Sequence, residues 1–255
     1  MGETTRMYLY FEATAALYTV TVIAVLLCIA GILTTLALWR QGKARSLHRT
    51  LNSAAVARSF ITDVVFQAQI LKISFVRWLM HFCIFIGFMG LLAQTSLMAF
   101  ISHFSAPESF LAQSFFHGGG SRVLDVWGDV FGLTMLFGLA IAIIRRYVVR
   151  TRQLETIAKD TTSLVLLTAI GLSGFICEAF RLMDPQYADV AWYSFAGMTL
   201  SQLLQAAGIG AASYTAWVWS HAVISFIFIA FIPFSKAWHI FVSPIEIVLD
   251  ASERA

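Results

Sequence analysis

The side chains best suited to chemistry in this 255-residue chain are its six histidines: His48, His81, His103, His117, His221 and His239. Three of them, His81, His221 and His239, lie inside long apolar runs. His221 and His239 are 18 residues apart, which at about 100° per residue is five turns, so one continuous helix would present both on the same face. The rise between them would be roughly 27 Å, close to the hydrocarbon thickness of a bilayer. Imidazoles at that depth need hydrogen-bond partners or a metal.

The composition says what must position them. The chain is 59% hydrophobic and 12% charged, with mean hydropathy +0.78. That excludes a soluble globular domain and points to an all-α polytopic membrane protein whose surroundings are lipid, not nucleic acid. Five spans are expected, at about residues 8–39, 76–101, 126–144, 161–182 and 214–241, forming one five-helix membrane domain over residues 1–255. Residues 52–72 are expected to form an amphipathic helix along the membrane surface. A short surface helix is expected in the loop before the last span. The first apolar run is long enough to span and follows Glu3, Arg6 and Glu12 instead of a basic stretch, so no cleaved signal peptide is expected.

Of the 17 lysines and arginines, 14 fall on one side of the expected topology. The bias sets the N-terminus outside and the C-terminus in the cytoplasm. Cys28, Cys83 and Cys177 are dispersed in apolar runs without ligand spacing, so neither a disulfide nor a cysteine-ligated metal is expected.

With that topology the histidines acquire depths. His81 falls about one turn inside the cytoplasmic end of the second span, and His239 at the cytoplasmic end of the fifth. Two neutral imidazoles at one depth on neighbouring helices are what a six-coordinate b-type haem requires. His221 lies toward the outer end, and Leu91 stands ten residues past His81, where a partner would be wanted. His103 and His117 belong to the same side, in or near the loop after span two. His221 therefore has two readings, a packed hydrogen-bonded residue or a ligand; His48 reads as solvated. Arg77 and Lys236, close to His81 and His239, either reach toward lipid headgroups or pair with haem propionates. Glu178 and Arg181, three residues apart in span four, are either a self-neutralising pair or a quinone and proton site near His221. Asp125 and Asp129 are expected to complement the positive start of span three. Glycines at 87, 90, 132, 138, 171 and 174 allow close helix approach.

Three stretches carry a resemblance: RWLMHFCIFIGFMGL from Arg77, GLSGFICEAFRL from Gly171, and HAVISFIFIAFIPFSKAWHIFVSPI from His221. Together they resemble the respiratory nitrate reductase gamma-subunit family, and within it the branch serving heterodisulfide-reductase-like and sulfite-reductase-associated complexes. The resemblance implies a five-helix cytochrome b in a prokaryotic inner membrane, exchanging electrons between membrane quinone and a cytoplasmic iron–sulfur subunit. It implies iron ligands from spans two and five: His81 with His239 for one haem b, and His221 with a fourth histidine for a second. This chain has Leu91 at the fourth position. Either the outer haem is absent, or His103 or His117 serves with His221, or His221 serves the quinone. The reading from another class is a haemless membrane anchor of such a complex.

Overall fold

The computed structural model describes residues 15–40, 53–106, 108–117, 119–149, 158–210 and 214–253. His48 and the start of the first expected span, residues 8–14, lie outside them. Five helices are long and apolar enough to cross a membrane: Ala15–Arg40, Phe75–Phe104, Gly119–Val148, Thr161–Arg181 and Tyr214–Phe234, with mean hydropathies of 1.8 to 2.6. Lipid cannot hydrogen-bond exposed peptide groups, so segments of this composition must satisfy their backbone internally as helix. No strand occurs among the described residues. The protein is an all-α polytopic membrane protein.

In chain order the helices are α1 (Ala15–Arg40), α2 (Ser53–Ser59), α3 (Ala68–Ile73), α4 (Phe75–Phe104), α5 (Phe110–Ala112), α6 (Gly119–Ile143), α7 (Ala158–Arg181), α8 (Phe195–Ala206), α9 (Tyr214–Phe231) and α10 (His239–Glu253). Helix α8 is the short helix expected in the last loop.

Apolar side chains alone do not drive helix association in lipid, so close packing has to come from small residues. The α4–α6 contact shows this. A methyl group at Gly87 would lie 2.6 Å from the Met135 backbone nitrogen, and one at Gly90 would overlap the Phe131 ring. The Gly90 carbonyl accepts from Trp127 Nε1 at 2.8 Å, and Gln94 Nε2 donates to the Leu124 carbonyl at 3.0 Å. Gly132 and Gly171 do the same work between α6 and α7, against Phe175 and Leu136. Helix α1 buries little beyond Ala24 and Gly31 and shows Val22, Leu26, Leu33 and other apolar residues outward. It is the helix most open to lipid, and it touches Pro233 and Phe234 through Gly31.

Two expectations need correction. The fifth span is not one helix through both histidines: α9 stops at Phe231, 3₁₀ turns follow at Ile232–Phe234 and Lys236–Trp238, and His239 opens α10. Pro233 has no N–H to donate and its ring obstructs the preceding turn. Ser235 then caps the next turn, its Oγ accepting from the Ala237 N–H at 3.1 Å. The five-turn projection relating His221 to His239 therefore does not hold. The surface segment is also not one helix. It runs as α2, a π-helical turn at Phe60–Val65, a left-handed residue at Gln67, and α3.

Candidate functional site

The break at Pro233 and the break at Gln67 deliver side chains to one place. His81, in the second turn of α4, and His239, at the start of α10, have ring centroids 5.8 Å apart and planes inclined at 58°. Each ring has its Nδ1 occupied by a carbonyl oxygen. His81 Nδ1 is 2.8 Å from Gln67 Oε1, and His239 Nδ1 meets the Lys236 backbone oxygen. A carbonyl oxygen only accepts, so Nδ1 carries the proton in both rings. In the neutral imidazole that leaves Nε2 with the lone pair.

Two such nitrogens can hold a metal. Bonds of about 2 Å from each Nε2 to a shared metal would put the ring centroids roughly 6 Å apart, near the observed spacing. Among the described residues no group of three or more histidines, cysteines or carboxylates could hold a bare ion. A two-imidazole site suits a metal that brings its own equatorial ligands, as haem iron does. Arg77 is half-buried on α4 and Lys236 is exposed beside His239, both at this end of the bundle.

His221 lies elsewhere, on α9 against α7. Its Nδ1 is 2.9 Å from Ser173 Oγ, which donates its own proton to the Ala169 carbonyl at 2.6 Å. Gly174 lies beside the ring, where an added methyl would make ordinary contact at 3.4 Å from His221 Cε1. His103, at the far end of α4, is held by Tyr18 Oη at 3.4 Å, Ser102 Oγ at 2.9 Å and the Ala99 carbonyl at 2.9 Å, so it faces α1 and its own helix. His117 ends a π-helical turn at Gln113–His117, and its side chain lies outside the described residues.

One turn beyond Gly174, Glu178 enters a polar cluster. Arg181 Nη2 reaches Asp125 Oδ1 at 3.0 Å and Glu178 Oε1 at 3.5 Å. The Arg181 guanidinium also lies 5.3 Å from the Tyr187 ring centroid. Asp129, fully buried, accepts from the Ala196 N–H at 2.6 Å and meets the Glu178 carboxyl. Gly197 lets Glu178 in; a methyl there would lie 2.6 Å from Glu178 Cγ. Asp125 and Asp129 thus do not complement the start of their own helix. Helix α6 begins at Gly119, and both aspartates are buried within it, one on Arg181 and the other on the first turn of α8. Glu178 and Arg181 are not a closed pair either: Asp125 and Glu178 share one guanidinium, and Asp129 stands against Glu178.

A groove of about 380 Å³ lies on another side of α6, lined by Arg122, Val126, Trp127, Val130, Phe131 and Tyr193. It is almost wholly apolar and includes none of the histidines or carboxylates described here.

Sequence reasoning anticipated the His81–His239 pair and missed Gln67, Ser173 and the inward turn of Asp125 and Asp129. Ser173 stood within the GLSGFICEAFRL stretch. Nothing at Gln67 signalled its left-handed backbone.

Residues 57–247 match the family model of HdrE, a component of dihydromethanophenazine:CoB–CoM heterodisulfide reductase. The chain belongs to the HdrE family. The HdrE protein of Methanosarcina mazei is 30% identical over 215 residues, covering 83% of this chain and 73% of that protein. Its counterpart in Methanosarcina thermophila is 29% identical over 222 residues, covering 83% and 72%. The EtfAB:quinone oxidoreductase of Syntrophomonas wolfei is 28% identical over 240 residues, 89% of this chain but 32% of that much longer protein. No solved structure gives a significant match. Membership makes the chain a membrane electron-transfer subunit of a redox complex. It supports the heterodisulfide-reductase-like part of the expected resemblance, not the nitrate reductase gamma-subunit family specifically.

Proposed function

We propose that this HdrE-family chain is a b-type cytochrome that passes electrons between a membrane quinone and an iron–sulfur subunit on the cytoplasmic face. The carrying observation is the His81–His239 pair, 5.8 Å between ring centroids, with both Nδ1 atoms tied to carbonyl oxygens. When bound, haem b supplies a one-electron couple between the two redox partners. His81 and His239 would hold its iron, and Arg77 and Lys236 would balance its propionates.

The lysine and arginine bias puts the His239 end in the cytoplasm, with the N-terminus outside. The basic segments around residues 40–72 and 145–159 then form the docking face for the iron–sulfur partner. The relatives' names, which include a heterodisulfide reductase acting with dihydromethanophenazine and a quinone oxidoreductase, support a quinone-like carrier as the other partner.

The quinone site is assigned to His221, Glu178 and Arg181. Oxidising a quinol to a quinone releases two electrons and two protons. The electrons go toward the cytoplasmic end. Glu178, with Asp125 and Asp129 behind it, takes up protons from the quinol hydroxyls, and Arg181 keeps the cluster from being an uncompensated buried charge. Ser173 fixes the His221 tautomer so that its ring meets a quinone oxygen in one protonation pattern. Electron flow in the opposite direction uses the same groups with the proton steps reversed.

Pyridine haemochrome analysis of the purified complex tests the assignment. Stoichiometric haem b is expected; its absence overturns the cytochrome reading.

A further inference from the structure

Gln67 is the non-glycine residue with positive φ among the described residues, at φ 54° and ψ 40°. Its Cβ makes that conformation unfavourable, and the residues that tolerate it best are glycine and asparagine. Gln67 is also only 4% exposed, although the residues around it in α2 and α3 are largely open. Helix capping does not account for the choice, because the side chain makes no cap bond to α3.

The strained turn is tied down on both sides. The Gln67 carbonyl accepts from the N–H groups of Ile70 and Leu71 at 2.9 and 3.2 Å. The Phe66 carbonyl accepts from Trp78 Nε1 at 2.8 Å, which fastens the turn to the first turn of α4. What this achieves is the inward aim of one amide: Gln67 Oε1 lies 2.8 Å from His81 Nδ1, across 14 residues of chain. Strain held in place by its surroundings is characteristic of functional positions.

We infer that Gln67 is the positioning residue that orients the His81 ring and tunes the strength with which it would hold the iron. The inference rests on the haem reading above. Gln67 Oε1 accepts the Nδ1 proton, which fixes the tautomer, stops the ring from turning about its Cβ–Cγ bond, and raises electron density at Nε2. The opposite ring is set differently. His239 donates to a backbone oxygen three residues earlier, supplied by its own 3₁₀ turn, which no substitution removes cleanly. The His81 side is therefore the adjustable half of the pair. The surface segment carrying Gln67 becomes part of the redox site and not merely a membrane-surface support.

The test is a redox titration of the haem b absorbance in the purified complex, with electron paramagnetic resonance of the oxidised form. Gln67→Gly adopts the left-handed backbone without strain, so it keeps the turn while removing the buried side chain with its acceptor. Gln67→Glu keeps the reach and supplies a stronger, anionic acceptor. The Gly variant is expected to favour the reduced form and the Glu variant the oxidised form, each by about tenfold, or 59 mV for a one-electron couple. The Gly variant is also expected to shift the low-spin ferric signal as the ring is released. Unchanged potentials, shifts in the same direction, or equal loss of haem from both variants would overturn the inference while leaving the cytochrome reading intact. A wild-type complex without haem b overturns the reading itself.

Discussion

Arg181 Nη2 lies 3.0 Å from Asp125 Oδ1, closer than to Glu178 three residues before it on the same helix. The bond crosses from α7 to α6 between side chains that are 10% and 3% exposed, so it is an inter-helix tie made out of reach of bulk water. Replacing Asp125 by Asn removes the charge that faces Arg181 across the helices and should cost about 3 kcal/mol, the scale for losing one member of a buried pair. The melting temperature of the solubilised complex measures it. A change of only a degree or two would mean that water or another carboxylate already supports Arg181.

On the proposed assignment of both rings to one iron, His81→Ala and His239→Ala are expected to abolish the same haem b absorbance. Low-temperature difference spectra of the two variants give the answer. Removal of two different bands would show that the 5.8 Å pair does not share a metal.

Ser173→Ala removes the hydroxyl 2.9 Å from His221 Nδ1 without touching His81 or His239. Haem content should stay at the wild-type level, while quinol-dependent reduction falls in the same direction as in His221→Ala. Loss of a haem from the His221 variant would instead make His221 a ligand and remove it from the quinone site.

Glu178→Gln preserves shape against Gly197 but cannot take up a proton. Quinol oxidation is expected to slow roughly 10²-fold, the lower range for losing a general base, with haem content unchanged. Wild-type turnover would return Glu178 to a packing role beside Arg181.

Glycine to alanine exchanges separate close approach from mere small size. At Gly87 the added methyl would meet the Met135 backbone nitrogen at 2.6 Å, whereas at Gly119 it would meet nothing within 4 Å. Gly87→Ala should destabilise the solubilised protein by about 1–3 kcal/mol. Gly119→Ala should stay within about 0.5 kcal/mol, since it touches no packed contact. Thermal unfolding of the two variants side by side decides whether α4 and α6 depend on that contact.

The helical class and the five spans were legible in the sequence because the bilayer sets a length and a hydropathy that few other structures satisfy. The meeting of His81 with His239 was legible too, since alternating spans and a charge bias fix relative depth without any knowledge of packing. Depth along a helix does not say which way a side chain turns or who meets it. Asp125 and Asp129 looked like complements to the start of their own helix; packing of α7 and α8 against α6 gave them Arg181 and the Ala196 N–H instead. The single stripe expected from His221 to His239 failed at Pro233, where a missing N–H and a ring clash end the helix. Gln67 was hidden altogether, because its backbone conformation is imposed by the turn closed through Phe66, Ile70 and Trp78 and not by its own preference. Composition and hydropathy by themselves determined that this chain spans a membrane with five helices. Only the tertiary structure decided which nitrogens of His81 and His221 are tied, because their partners Gln67 and Ser173 are brought in from distant residues.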